Sequence, residues 1–100
     1  MDSLHRVMSA ANEIMTSSKK PALTLGDLQT LVVVVRGGVQ GPAKLARLRG
    51  ISSAAMTGSI DALERKRLIT REYAPHDRRV IPIRLTRLGI SVIKAASEEI

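Results

Sequence analysis

The first apolar residues of the chain recur every three or four positions, the spacing that places side chains on one face of a helix. They are Leu4, Val7, Met8, Ala11, Ile14 and Met15. This pattern predicts a helix over residues 3–17. Pro21 disfavours the helical conformation at Lys20, so we expect a break before the next element.

A second, more apolar helix is predicted to begin at Thr24. Thr24 and Asp27 resemble a capping box, with Asp in place of the usual Glu or Gln. The face that follows consists of Leu25, Leu28, Leu31, Val32 and Val35. Val33 and Val34 widen this face, so we expect the helix to be central and buried on more than one side. The glycines at positions 37–38 predict its end.

Residues 41–68 have the pattern of two short helices joined by a sharp turn. Pro42 suits the first position of a helix, and Gly50 can adopt the left-handed conformation that reverses the chain. Ser52 or Ser53 then caps a helix. The apolar face of this second helix is Met56, Ile60 and Leu63. A short helix, a glycine turn and a second helix predict a helix-turn-helix.

The segments 69–73 and 80–85 have the composition of β-strands, and the second also alternates apolar and polar residues. Pro82 cannot donate a hydrogen bond, so the second strand is an edge strand or distorted there. The sequence between them, APHDRR, is a basic loop, and a basic hairpin after a helix-turn-helix predicts a wing. Thr86 then caps a last helix, one face of which carries Gly89, Ile93, Ala96 and Ile100.

Composition supports a fold class that is mainly α with a small β-wing, a winged helix-turn-helix. Tyr73 is the only aromatic residue, so the core must consist of aliphatic side chains and Met, which favours helix packing. The 100 residues suit one domain over residues 1–100, with terminal helices within 1–20 and 86–100. The absence of cysteine excludes disulfides, thiol sensing and Cys-ligated zinc.

No feature of the sequence indicates catalysis or a membrane segment. No signal peptide is visible, and the longest apolar run, residues 31–35, is too short to span a bilayer, so we expect a cytoplasmic protein. His76 stands beside Asp77 without a nucleophile, and His5 lies far away, with no acidic cluster to complete a metal site. We therefore expect no enzyme activity, no cofactor and no metal.

The positive charge is concentrated in one part of the chain. Residues 42–87 contain eleven Lys or Arg and four Asp or Glu, an excess equal to the +7 of the whole chain. This distribution suits a polyanion, most simply nucleic acid. The alternative is a basic surface that has no partner.

Opposite its predicted apolar face, the second helix of the helix-turn-helix begins with small or short polar side chains. They are Ser53, Ala54, Thr57 and Gly58. Such a helix start can enter the major groove, about 12 Å wide, and approach base edges closely. Arg65 and Lys66 at the far end can reach the phosphate backbone. The alternative is an ordinary amphipathic helix with a small-residue surface.

The predicted wing places Asp77, Arg78 and Arg79 at a loop tip. Arginine suits a narrow minor groove, where the negative potential is enhanced. A carboxylate there repels phosphate, so we interpret Asp77 as a residue that pairs with Arg79 or a neighbouring arginine and orients it. The alternative is a solvated turn that Asp77 merely begins. Arg49 and Arg84 complete the cations that we assign to DNA.

Residues 23–89 resemble the DNA-binding core of the multiple-antibiotic-resistance-regulator (MarR) family. LTLGDLQTL resembles the family's helix before the helix-turn-helix. AKLARLRGISSAAMTGSIDALERKRLITR resembles its helix-turn-helix and first wing strand. PHDRRVIPIRLTRLG resembles its wing, with an acid, one residue and an arginine, closed by Leu-Thr and a glycine.

The resemblance implies a homodimer that binds a near-palindromic operator, usually as a repressor. It implies that Arg79 enters the minor groove, braced by Asp77. The residues implied at the major groove are Ser52, Ser53, Ala54, Thr57 and Gly58. Members commonly dimerise through their N- and C-terminal helices. Many release DNA when a small anionic or phenolic ligand binds, or when a cysteine is oxidised.

The chain departs from the family pattern in several places. It is short, with 14 residues after Thr86, which bears on the dimer interface. Arg67 stands where the family usually has glycine, and a non-glycine residue in a left-handed conformation costs about 1 kcal/mol, so a different turn is open to it. Gly58 replaces a larger residue that often contacts bases. Without cysteine or aromatic clusters, a small-molecule effector stays open but is not indicated.

The predicted terminal helices carry apolar stripes that one short chain has limited core to cover. We expect these stripes to meet across the two-fold axis of a homodimer. Their residues are Leu4, Val7, Met8, Ala11, Met15, Ile93, Ala96 and Ile100. The alternative is that the two stripes pack on each other within one chain.

Together these patterns predict a sequence-specific regulator that binds double-stranded DNA, probing the major groove with a helix and the minor groove with a wing. The alternative is a winged-helix module that binds an acidic protein, or an architectural module that binds DNA without an operator. RNA binding is less expected, because the chain lacks the aromatic platforms on which single-stranded bases stack.

Overall fold

The computed structural model describes residues 2–37, 41–72 and 82–99. Within these ranges the chain forms five helices and a two-stranded antiparallel sheet. They are α1 (Asp2–Ser17), α2 (Leu25–Gly37), α3 (Pro42–Arg49), α4 (Ser53–Arg65), β1 (Ile69–Arg71), β2 (Ile83–Leu85) and α5 (Arg87–Ser97). The predicted fold class, mainly helical with one small antiparallel sheet, is confirmed.

The capping box predicted at the start of α2 is confirmed, but the buried face of this helix differs from the prediction. Thr24 Oγ1 accepts a hydrogen bond from the Asp27 amide (3.1 Å), and a carboxylate oxygen of Asp27 accepts one from the Thr24 amide (2.9 Å). Leu25 and Val35, assigned to the apolar face, are 45% and 47% exposed. The buried residues are Asp27, Leu28, Thr30, Leu31 and Val34.

This rotation of the buried face has a physical reason. Asp27 and Thr30 can be buried because cations from other elements bind them, Lys66 in one case and Arg49 in the other. An apolar pattern alone assigns polar residues to the surface, and it therefore omitted Asp27 and Thr30. Leu28 and Leu31 were predicted correctly and are buried.

Helices α1 and α5 pack against each other within one chain. Ala11 and Met15 are fully buried in this contact region, and Val7 and Ala96 are buried as well. This corrects the prediction that the two stripes meet across a two-fold axis, because these four side chains belong to the core of a single chain. Val92, which the predicted face of the last helix omitted, is also fully buried.

The other residues assigned to dimerisation have different positions. Leu4 is 51% exposed, and Met8 and Ile93 are partly buried at the edge of the core. Ile100 lies outside the described residues. The dimer itself stays a prediction.

The predicted helix-turn-helix is confirmed. Pro42 is the first residue of α3, and Gly50 ends this helix in a left-handed conformation with φ 74°. Ser52 caps α4, its hydroxyl oxygen accepting a hydrogen bond from the Ala55 amide at 3.1 Å. The face of α4 that was predicted to be apolar is fully buried: Met56, Ile60 and Leu63.

The chain leaves α4 through a left-handed residue, Arg67, with φ 64°. The Arg67 amide donates to the Glu64 carbonyl, and the Leu68 amide donates to the Leu63 carbonyl, both at 3.0 Å. This pair of bonds is a Schellman motif, which satisfies the last carbonyls of a helix. The turn therefore has the geometry that glycine favours, although the residue is arginine.

The wing strands pair with Ile69 opposite Leu85 and Arg71 opposite Ile83. The Glu72 amide donates to the Pro82 carbonyl (2.9 Å), so Pro82 contributes the acceptor that proline retains. The described strands are shorter than the predicted segments 69–73 and 80–85. Glu72 and Pro82, which belong to these segments, are described and lie outside the strands. The rest of the difference, residues 73, 80 and 81, lies outside the described residues.

The structure explains the Thr86 and Gly89 that end the wing sequence PHDRRVIPIRLTRLG. The Thr86 hydroxyl donates to the Arg67 carbonyl (2.6 Å) and accepts from the Gly89 amide (3.0 Å), so it joins the turn after α4 to the first turn of α5. A Cβ atom at Gly89 would collide with the Leu68 carbonyl oxygen. Glycine at this position lets α5 lie directly on the chain that enters β1.

Replacing Arg67 by glycine should stabilise the protein. We expect the free energy of unfolding to rise by about 0.5 kcal/mol or more, because relief of left-handed strain outweighs the backbone freedom that glycine gains in the unfolded chain. Arg67→Ala is the control, since it removes the same side chain and keeps Cβ. Urea unfolding measures both variants, and equal stability of the two would contradict a strain at Arg67.

Candidate nucleic-acid interface

The exposed face at the start of α4 is small and uncovered. Ser53, Ala54, Thr57 and Gly58 are all exposed, opposite the buried apolar face of the helix. A Cβ atom at Gly58 would meet nothing within 4 Å. The Thr57 hydroxyl donates to the Ser53 carbonyl (3.0 Å), which leaves its oxygen able to accept a further bond. This surface can approach another molecule closely.

Ser52, which was also assigned to the major groove, is at the edge of this face. Its side-chain oxygen holds the Ala55 amide in the capping bond. The hydroxyl hydrogen is the part that can still reach an outside acceptor. Ser52 therefore orients the first turn of α4 as well as bordering its exposed face.

Arg49, assigned to phosphate contact from the sequence, is partly buried among side chains of three helices. Its Nη1 atom donates to the Thr30 hydroxyl (2.9 Å) and to the Ser59 hydroxyl (3.0 Å). Its Nη2 atom lies 3.4 Å from the Gln29 side-chain oxygen. No sequence pattern indicated these three neutral partners, because Gln, Thr and Ser are residue types that are usually found at the surface.

Lys66, also assigned to phosphate contact, has its ammonium group inside the protein. It forms an ion pair with Asp27 and donates to the Ala22 carbonyl at 3.0 Å. The lysine side chain is only 17% exposed and that of Asp27 only 7%. Contact with phosphate would require this pair to open. The sequence predicted that Asp27 belongs to the capping box at the start of α2. It contained no indication that Asp27 also forms an ion pair with Lys66.

Arg71 joins the first wing strand to α4. Its guanidinium forms ion pairs with Asp61 and with Glu64 (2.9 Å), which lie one turn apart on that helix. On the second strand, Arg84 pairs with Glu72 at 2.6 Å, and both side chains are about half exposed. Arg84, assigned to DNA, thus remains accessible, although a carboxylate already occupies one side of its guanidinium.

These pairs leave several cations of the basic segment without a carboxylate neighbour. Asp61, Glu64 and Glu72, the acids of this segment that the structure describes, are all used by arginines of the sheet. The exposed basic residues that form no ion pair within the described ranges are Lys44, Arg47, Arg65, Arg67 and Arg87. The positive potential predicted from the sequence is therefore carried by the helix ends around α4.

The predicted wing tip consists of residues 77–79. Asp77, Arg78 and Arg79 lie outside the described residues, so the proposed contact of the arginines and the orienting role of Asp77 stay predictions. In the part of the chain that is described, no three His, Asp or Glu side chains are grouped as metal ligands. No helix in those ranges is long and apolar enough to cross a membrane.

The geometry can be compared with known proteins. The model of the MarR family matches residues 23–81. The transcriptional regulator Tm0710 from Thermotoga maritima superposes with a TM-score of 0.70 at 26% identity, covering 93% of this chain and 63% of its own. RV1404 from Mycobacterium tuberculosis superposes with a TM-score of 0.72 at the same identity and coverage. This chain therefore spans less than two thirds of either relative.

A more distant structure shares the fold. A mutant of MarR from E. coli, solved in complex with operator DNA, superposes with a TM-score of 0.71 at 19% identity. The superposition covers 96% of this chain and 66% of that one. At this identity the likeness concerns the arrangement of the helices and sheet.

Removing Lys66, the partly buried cation that follows α4, should destabilise the protein. We expect Lys66→Met to lower the free energy of unfolding by about 1–3 kcal/mol, because the Asp27 carboxylate and the Ala22 carbonyl lose a donor. The neighbouring Arg65→Met removes an exposed charge and should change stability by no more than about 0.5 kcal/mol. Urea unfolding measures both, and an unchanged Lys66→Met variant would exclude a structural role for the pair.

Proposed function

The chain belongs to the MarR family, and from that membership we propose that it is a sequence-specific regulator of transcription, a dimeric repressor that binds double-stranded DNA. The observation that carries the proposal is the uncovered start of α4, the second helix of the helix-turn-helix. Its exposed residues are Ser53, Ala54, Thr57 and Gly58.

The size of these side chains supports entry into the major groove. A helix fits this groove, and short side chains let its backbone approach the base edges. Thr57 and Ser53 can exchange hydrogen bonds with bases or phosphates, and Ala54 can contact a thymine methyl group. Gly58 leaves open space where a side chain could otherwise meet a base.

The charge around α4 supports attraction to the phosphate backbone. Arg65 at the end of this helix and Arg47 on α3 are exposed and form no ion pair within the described ranges. Each phosphate neutralised by such a residue releases counterions, so binding weakens as salt rises. We include Arg84 as a further phosphate contact, since about half of its side chain remains exposed.

The wing completes the proposed interface. We assign Arg78 and Arg79 to the minor groove and Asp77 to the orientation of Arg79, on the basis of the sequence alone. The ion pairs of Arg71 with Asp61 and Glu64 support this arrangement, because they join the base of the wing to α4. A wing held in this way can reach the next groove while α4 occupies the first.

The proposed dimer must use the apolar side chains that the single chain leaves uncovered. Leu4 on α1 and Ile90 on α5 are 51% and 54% exposed. Met8 and Ile93, partly buried on the same two helices, can add to the contact. A two-fold dimer presents two copies of α4 to successive major grooves on one side of a duplex.

The first experiment is selection of bound duplexes from a random double-stranded library at about 0.15 M salt, which suppresses non-specific binding. We expect enrichment of an inverted repeat whose half-sites are about one helical turn apart. Enrichment of a single half-site would contradict the dimer. Salt-sensitive binding without any enriched sequence would favour an architectural protein, and no binding would favour a module for an acidic protein partner.

Two substitutions on α4 should separate base contact from phosphate contact. We expect Thr57→Ala to weaken binding to the enriched duplex by about 1–3 kcal/mol and to spare a shuffled duplex of the same composition. Arg65→Met should weaken both duplexes and lower the slope of log K against log salt by about 1. Fluorescence anisotropy titrations measure both. If Thr57→Ala weakened binding to both duplexes equally, Thr57 would not be a residue that contacts bases.

A further inference from the structure

The guanidinium of Arg49 is a point where the three helices of the helix-turn-helix region meet. Arg49 is the last residue of α3. Its partners Gln29 and Thr30 belong to α2, and Ser59 belongs to α4. We call these four residues the Arg49 junction. One side chain thus bonds to both helices that flank its own.

Three of the five N–H donors of the Arg49 guanidinium have partners among the described residues. The two hydrogens of Nη1 match the two hydroxyl oxygens of Thr30 and Ser59, at 2.9 and 3.0 Å. The fully buried Thr30 donates its hydroxyl hydrogen to the Gly26 carbonyl (3.0 Å). Its oxygen is therefore the acceptor in the bond with Arg49. A Cβ atom built on Gly26 would lie 3.4 Å from Nη2, so the guanidinium packs closely against the first turn of α2.

The junction acts on the helix that we propose to enter DNA. Ser59 follows Thr57 and Gly58 directly along α4, so a bond to Ser59 fixes the rotation and the distance of the exposed face. Hydrogen bonds to base edges tolerate only a few tenths of an ångström. We propose that Arg49 is a positioning residue for sequence recognition, which holds α4 at the angle that base contact requires. This inference rests on the proposed function.

The partners of Arg49 argue against a phosphate contact. Its hydrogen bonds within the described residues go to neutral oxygens, which take both hydrogens of Nη1 and one of Nη2. A lysine would keep the charge, but its single ammonium group lacks the planar fork that reaches two helices. Arg49→Lys therefore separates geometry from charge.

The test measures binding to the duplex enriched from the random library and to a shuffled duplex, over a range of salt concentrations. Arg49→Lys and Arg49→Met are compared with Arg47→Met, which removes one exposed charge from the same helix. For both Arg49 variants we expect the ratio of the two affinities to fall by about tenfold, the size of one lost base contact. Arg47→Met should weaken both duplexes alike and leave the ratio unchanged.

Two outcomes would overturn the proposal. One is an Arg49→Lys variant with the wild-type ratio. The other is an Arg49→Met variant that weakens both duplexes equally, with a salt slope lower by about 1, as expected of a phosphate contact. Titration to stoichiometry gives the active fraction of each variant, so that partial unfolding is not mistaken for lost discrimination. Ser59→Ala should also lower the ratio of the two affinities. The double variant of Ser59→Ala and Arg49→Lys should have nearly the same ratio as Arg49→Lys alone.

Failure of the proposed function would be recognised separately, because the wild-type protein itself would then bind both duplexes equally. In that case amide hydrogen exchange decides the positioning role without DNA. We expect Arg49→Lys to accelerate exchange in α4, whereas Arg47→Met should leave it unchanged. Identical protection of α4 in Arg49→Lys and the wild-type protein would overturn the inference.

Discussion

The arrangement of the helix-turn-helix depends on two polar residues, Asp27 and Thr30, that are buried on α2. A buried carboxylate or hydroxyl is costly unless it is hydrogen-bonded. Lys66 from the end of α4 reaches Asp27, and Arg49 from the end of α3 reaches Thr30. These two bonds hold both helices of the motif, α3 and α4, against α2. Among the described residues no buried side-chain polar atom is left without a partner.

The same bonds divide the cations of the chain into two groups. Lys66 and Arg71 are engaged with carboxylates, and Arg49 with neutral oxygens, so these three act on the fold. The arginines of the sheet pair with Asp61, Glu64 and Glu72. The exposed Arg47 and Arg65 form no ion pair within the described residues. A count of charges along the sequence describes the net potential correctly and does not tell which cation can touch a partner.

The order of elements could be predicted because local signals agreed. Pro42 and Gly50 have strong conformational preferences, and the apolar spacing on α4 is regular. The buried face of α2 could not be predicted, since the partners of Asp27 and Thr30 lie far along the chain. For the same reason Arg49 and Lys66 were assigned to phosphate. The packing of α1 on α5 was only one of two alternatives, because an apolar stripe does not specify which surface covers it.

The two halves of α4 have opposite roles. The C-terminal half is held from three sides, by Asp27 through Lys66, by the wing strand through Arg71, and by the Thr86 hydroxyl at the turn. The N-terminal half carries its small side chains outward on one face. On its other side Met56 is fully buried, and Ser59, at the middle of the helix, accepts a bond from Arg49. A glycine at position 58 weakens a helix interior by about 0.5–1 kcal/mol relative to alanine. A helix start with this weakness keeps a fixed direction because Arg49 holds the middle of α4 through Ser59, while Lys66 and Arg71 hold its other end. Through Arg71 this support includes β1, so α4 and the base of the wing should move as one body.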